Sequence, residues 1–224
     1  MTYLRTVLHH LAKDIRLEWR SRDALNGMLF FSLLVVVLFS ISFDPTRAVS
    51  REITGGILWT AILFSATTAL NQSWTRELRH HSLDAQRLVP APASALLLGK
   101  ALANFILVTI LEAVLALIFI VFYNVNVLGN AWLLLLVLPL GTWALVMNGT
   151  FFAALSLRTR SRELMLPLLL FPISIPALLA MVQATQAILM GDSDPTLWIK
   201  TLAGYCIIFT IVCLLLFDTV LAAE

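Results

Sequence analysis

Charged residues are scarce in this chain: Asp, Glu, Lys and Arg make up 12% of its 224 residues, where soluble domains carry roughly 25%. So few charges cannot clothe a core of this size in a hydrated shell, which excludes an ordinary water-soluble globule. Cysteine is nearly absent. Cys206 and Cys213 stand seven apart inside an apolar run, a spacing that fits neither a disulfide framework nor a metal-ligand pattern, so both read as packing residues. No basic patch forms, because the basic residues behind the net charge of +2 are dispersed among apolar runs, and nucleic-acid binding is excluded. A phosphate loop is missing too. The single Gly-Lys step is Gly99-Lys100, with Ser94 and Ala101 where glycine and Ser/Thr would have to cradle phosphate and magnesium. The first 24 residues are heavily charged and lead into an apolar run with no small-residue cleavage site, so no cleavable leader is expected.

What is abundant is apolar surface. Hydrophobic residues make up 60% of the chain and the mean hydropathy is +0.92. Six apolar runs stand out, at 27–43, 53–74, 96–122, 132–157, 164–190 and 197–217. A helix crosses a hydrocarbon core with about 20 residues, and 17 suffice. Lipid offers backbone groups no partners outside a helix or a closed barrel. The expected fold is therefore an all-α polytopic membrane protein with six transmembrane helices, in one membrane domain over residues 1–224.

The basic residues set an orientation. Twelve of the fifteen fall on one side of the bilayer if the N-terminus is cytoplasmic, and only Arg47, Arg51 and Lys200 fall on the other. The positive-inside rule then puts both termini in the cytoplasm. Ahead of the first span, Leu4, Leu8, Leu11, Ile15 and Trp19 recur at steps of three and four, with Arg5, Lys13, Arg16, Arg20 and Arg22 between them. That pattern marks residues 1–24 as an amphipathic helix lying in the membrane interface. In the fifth run Pro167, Pro172 and Pro176 each remove a ladder donor, so a kinked or broken span is expected. The acidic stretch 191–195 marks a short external excursion before the last span, with partial re-entry into the membrane left open.

The loop between spans two and three, 76–92, is the most informative connection. Ser82 is placed to cap a helix with Asp84 in its first turn, and Pro90 limits that helix to about two turns. A short capped helix of about 82–89 beside a membrane bundle suits a docking element. An ordinary solvated connector fits the spacing equally well.

With the following Ser94, Leu96, Leu97, Leu98, Gly99 and Lys100, this loop resembles that of ABC-2-type exporter permeases, in which a Ser-Leu-acidic helix ends at a proline and the next span opens with a lysine. Within that class the chain resembles the CcmB permeases, the haem exporter subunits of cytochrome c maturation. The likeness takes in Leu17, Glu18, Trp19 and Arg20, the Gly55, Gly56, Ile57, Leu58, Trp59 start of the second span, and the proline-bearing fifth span. One departure is His80-His81, where members of the family often place Asp-Gly. The resemblance implies a permease that is not itself an enzyme, that forms a homodimer in the bacterial inner membrane, and that is worked by a separate ABC ATPase subunit. Its partners would include membrane lipid and a haem-handling membrane subunit. No cofactor is expected on this chain itself: ATP and magnesium act through the partner, and haem is carried within the complex. The ATPase-coupling residues it implies are Glu77, Ser82, Leu83, Asp84, Arg87, Leu88 and Pro90. The work done is haem export or the ATP-driven release of a haem-carrying complex; a generic ABC-2 exporter of lipid, drug or polysaccharide would share the same bundle and loop.

Inside the spans, Glu112 is the carboxylate nearest mid-membrane, about 18 Å along the helix from Lys100. An ionised group there needs a partner, a proton or water, so Glu112, together with Asn104, forms a candidate polar site. A neutral carboxyl bonded to a neighbouring helix is the equal alternative. Asn71 and Asn148 read as interhelical donors. An intramembrane enzyme would need a nucleophile beside its base, or several acidic metal ligands, and the spans offer Glu112 nearly alone. The four histidines, His9, His10, His80 and His81, come as adjacent pairs that point about 100° apart on a helix. They are expected to face solvent or a partner rather than to ligate haem iron.

Overall fold

A computed structural model describes residues 3–42, 48–79, 92–123, 131–157, 162–191 and 193–222. Seven α-helices occur among them: α1 (Tyr3–Ser21), α2 (Asp23–Ser42), α3 (Ala48–Arg79), α4 (Ala93–Tyr123), α5 (Leu134–Ser156), α6 (Arg162–Met190) and α7 (Thr196–Ala222), with a single 3₁₀ turn, Ala131–Leu133, leading into α5. The last six helices are each long and apolar enough to cross a bilayer, and α1 precedes them. The chain is an all-α, multi-pass membrane protein. The helices overlie the six apolar runs and extend past several of them, α3 from Ala48 to Arg79 and α7 to Ala222. The segment 82–89, expected to form the coupling helix, lies outside the described residues.

Small side chains decide which spans sit at the centre. The apolar windows of α3 and α5 are 67% and 61% buried, against 28% for α2 and 22% for α7. The two central helices approach closely because α5 offers glycines where α3 offers bulk. The Trp59 ring lies over Gly141, and Leu70 presses on Gly149, leaving no room for a Cβ at either glycine. Trp59 then donates its indole N–H to Thr185 Oγ1 of α6 at 2.9 Å, and Trp74 donates to the Thr150 carbonyl of α5 at 2.9 Å. Buried tryptophan needs such a partner for its one donor. The outer faces of α2 and α7 carry Phe30, Leu34, Leu38, Ile41, Ile207, Ile211 and Leu215 in exposed positions, as suits helices whose solvent is lipid rather than water.

The span expected to be kinked or broken is one continuous helix: α6 runs from Arg162 to Met190 with Pro167, Pro172 and Pro176 inside it. Packing against α3, α5 and α7 holds a helix that its lost ladder bonds alone would weaken. The link to the last span is short. Gly191, at φ +72°, closes α6 with its N–H on the Ala187 carbonyl, and Asp194 Oδ1 accepts from the Thr196 N–H at 2.9 Å to start α7. Five residues, 191–195, separate the two helices.

Between α1 and α2 stands a single residue, Arg22, in the left-handed region at φ 56°. Glu18 steadies this sharp turn. Its Oε1 accepts from the Ala24 N–H at 2.8 Å and the Leu25 N–H at 3.1 Å, supplying a carboxylate to the exposed donors and positive end of α2.

Candidate functional site

The site begins with the sidedness of α1. Residues three and four apart share a helix face, and Val7, His10, Asp14 and Glu18 form one such row, with Leu8 and Trp19 turned away from it. Val7 and Glu18 are buried, whereas Leu4, Leu8 and Trp19 are exposed. The polar row therefore faces the protein. It packs on α4 at Gly99, where an added Cβ would come within 2.8 Å of both His10 Cβ and the Val7 carbonyl. Only glycine admits so close a crossing. Burial, helped by the Lys13 charge, keeps the half-buried His10 below the ordinary histidine pKa.

That crossing brings Lys13 and Asp14 of α1 against Glu77 of α3 and Lys100 of α4. Lys100 is 1% exposed, and its Nζ lies 2.9 Å from Asp14 Oδ2, 2.9 Å from Glu77 Oε1 and 3.2 Å from the Ser73 carbonyl. An ammonium has three N–H donors, and here three oxygens receive them. The Trp74 ring, 4.9 Å from Nζ, adds its electron-rich face. Lys13 closes the cluster, 2.6 Å from Glu77 Oε1 and 3.3 Å from Asp14 Oδ1. Two cations and two anions balance, which is the condition under which burying charge is tolerable.

Protonation follows from the same geometry. Burial acts to raise the Glu77 pKa, but the Lys100 charge and the Lys13 hydrogen bond and charge outweigh it and bring the group down to about 2. Lys13 moves the other way: burial acts to lower it, and the charges and hydrogen bonds of Asp14 and Glu77 carry it above its ordinary value. Both ends of the cluster thus stay charged across the physiological range.

One turn beyond Lys100, Asn104 extends the network to α5. Its Nδ2 donates to Ser73 Oγ at 3.3 Å and Thr150 Oγ1 at 3.1 Å. A cavity of about 160 Å³ opens beside the cluster, lined by Lys13, Asp14, Glu18, Ser73, Glu77 and Asn104 on its polar side and by Ala69, Ala103 and Leu107 on its apolar side. The arrangement joins α1, α3, α4 and α5 at one end of the bundle. It does so at the two points where the chain leaves for, and returns from, the segment 80–91.

Of the residues singled out by sequence, Glu77 and Asn104 belong to this network, while Ser82, Leu83, Asp84, Arg87, Leu88 and Pro90 lie outside the described residues. Glu112 stands apart. It is buried, and its Oε1 accepts a hydrogen bond from Thr142 Oγ1 of α5, so an interhelical bond exists and Asn104 does not share it. Asn148 is the expected interhelical donor, giving one hydrogen to Tyr205 Oη at 2.9 Å. Cys206 and Cys213 are buried thiols, facing the Leu140 carbonyl and Asn148 Oδ1. Among the described residues no three His, Cys, Asp or Glu side chains come together as a metal site. Sequence reasoning missed Lys13, Asp14, Glu18 and Ser73. The signal was present: Asp14 and Glu18 are the acids of an otherwise basic helix, four apart and in register with His10.

A six-span helical bundle whose charged side chains gather at the root of one connecting segment, with the mid-membrane carboxylate taken up in a helix-to-helix bond, is the build of a permease subunit. The sequence profile described as CcmB protein matches residues 5–223, and the chain belongs to that family. It is similar to proteins named heme exporter protein B. That of Rhodobacter capsulatus is 32% identical over 169 residues, covering 75% of this chain and 77% of the relative. That of Pseudomonas aeruginosa is 28% identical over 202 residues, covering 89% and 90%, and that of Paracoccus denitrificans is 30% identical over 185 residues, covering 83% and 84%.

Proposed function

We propose that this chain is the membrane permease subunit of a haem exporter complex of the ABC type acting in cytochrome c maturation. It works as a homodimer in the bacterial inner membrane beside a haem-handling subunit, with both termini and the 76–92 loop in the cytoplasm. A separate ATPase binds ATP and magnesium and grips the segment 82–89, with Glu77, Ser82, Leu83, Asp84, Arg87, Leu88 and Pro90 as the coupling residues. This chain performs no hydrolysis. Haem is cargo of the complex.

The observation that carries the mechanical part is the clamp between Glu77 and Lys100. A loop whose two roots were free would absorb a push by flexing. Here the roots are tied to each other and to α1 by four charges, of which Glu77 and Lys100 are buried, and α3 is tied to α5 by Trp59 and Leu70 pressed on glycines and by the Trp74 hydrogen bond. Packed interiors shift between discrete arrangements rather than deform continuously. A push on 82–89 is thus passed to the bundle's centre, and the difference in ATPase affinity for the two arrangements supplies the drive.

The test is co-purification of the tagged chain in mild detergent, with mass spectrometry of its partners and an absorption spectrum for haem. An ATPase, cytochrome maturation subunits and a haem band are expected together. Leu83→Asp with Leu88→Asp should leave the chain in the membrane and remove the ATPase. An ATPase recovered without any maturation subunit or haem would remove the haem assignment, and an ATPase retained by the double variant would remove the docking role of 82–89.

A further inference from the structure

The inner face of α1 is accounted for by the ion cluster; the outer face is not. Leu8, Leu11, Ala12, Ile15 and Trp19, together with Arg16 and Arg20, line a wide-open groove of about 830 Å³. Trp19 is 65% exposed, so nothing in this chain fills the groove among the described residues. Charge on α1 is sorted by face. Asp14 is held by Lys100 and Glu18 by the start of α2, so both acids point inward, while Arg16 and Arg20 point outward and meet no carboxylate among the described residues. The helix also has a fixed depth. One residue, Arg22, separates it from Asp23, where the first span begins, so the groove lies at the membrane boundary.

We propose that this outer face is a docking site for an acidic phospholipid, its phosphate held between Arg16 and Arg20 and an acyl chain lying along Leu8, Leu11, Ile15 and Trp19. Arginines four apart on a helix are neighbours one turn from each other, and their guanidinium forks match phosphate oxygens in pairs. Tryptophan at the headgroup level presents an apolar ring to the chain region and its N–H to water. A zwitterionic lipid offers the same acyl chain but no net charge. A soluble anion offers the charge but nothing for the groove. The lipid lies on the side of α1 turned away from Asp14 and Lys100, so it presses α1 onto the roots of the 80–91 segment.

The experiment uses the full chain in phosphatidylcholine vesicles doped, at equal mole fraction, with brominated phosphatidylglycerol or brominated phosphatidylcholine. Bromine quenches a tryptophan it touches, and the Trp19 signal is the difference between the native chain and Trp19→Phe. Quenching by the acidic lipid is expected to exceed that by the zwitterionic one, with the preference falling about fivefold for each arginine neutralised. Arg16→Gln with Arg20→Gln should therefore bring the two lipids level, while Arg16→Lys with Arg20→Lys should keep part of the preference and guard against misfolding as the cause. Equal quenching in the native chain would reduce the site to ordinary boundary lipid and overturn the proposal. Absence of quenching by either lipid would mean that protein or water covers the face, with the same consequence.

Discussion

Lys100 Nζ lies 2.9 Å from Glu77 Oε1, so the last turns of α3 and the first turns of α4 are held together at the base of the loop that joins them. Both are buried, and Asp14, Lys13 and Ser73 gather around them. The pair therefore fixes geometry. It does not offer chemistry to a substrate.

If the cluster is a balanced set of buried charges, removing one member must hurt more than removing an opposite pair. Lys100→Met alone is expected to cost about 3 kcal/mol or more, because it leaves two carboxylates facing Lys13 alone. Glu77→Gln alone should cost a similar amount. The double variant should cost less than the sum, with a coupling of about 1–3 kcal/mol, measured by unfolding titrations in detergent. Strict additivity would mean that the four groups do not act as one unit.

The same cluster gives a pH dependence. Folding lowers the Glu77 pKa from 4.5 to about 2, and a carboxyl depressed in this way contributes stability that is fully present above 4.5 and is lost as the pH falls from there through about 2. The advantage of the native chain over Glu77→Gln should hold down to about pH 5 and shrink below it. For Lys13, raised above 10.5, the contribution is complete below that value and is lost as the pH climbs through the folded pKa. Melting temperatures of the native and Glu77→Gln chains across acid pH check the first statement. A constant gap would contradict it.

Glu112 admits a separate test. Glu112→Gln keeps an oxygen to accept from Thr142 while removing the ability to ionise, so the chain should still insert and fold. Holocytochrome yield, read from the haem-stained band, is expected to fall several-fold. An unchanged band would assign Glu112 to helix packing alone.

The spans were legible because lipid enforces a simple rule, twenty or so apolar residues per crossing, and each run obeys it. The amphipathic row of Leu4, Leu8 and Trp19 likewise gave α1 and its outward face. The inward face was harder. Lys13, Asp14, Glu77 and Lys100 are distributed over three helices separated by up to 87 positions in sequence, and periodicity within one helix cannot say which charge on another will meet it. That α6 continues through Pro167, Pro172 and Pro176 was not legible for a related reason: local propensity counts the lost hydrogen bonds, while the neighbours that hold the helix together are tertiary. Asp194 was read as loop acidity, and its capping bond to Thr196 depends on where α7 begins.

The central claim is that the loop between α3 and α4 is worked from the cytosol, and its sidedness is the most direct check. A single reactive cysteine can be placed in it by Asp84→Cys, since Cys206 and Cys213 are buried, and probed with a membrane-impermeant maleimide in intact cells and in inverted membrane vesicles. Labelling confined to the inverted vesicles is the expected result. Labelling from outside intact cells would place the loop beyond the reach of any cytosolic ATPase and contradict the account.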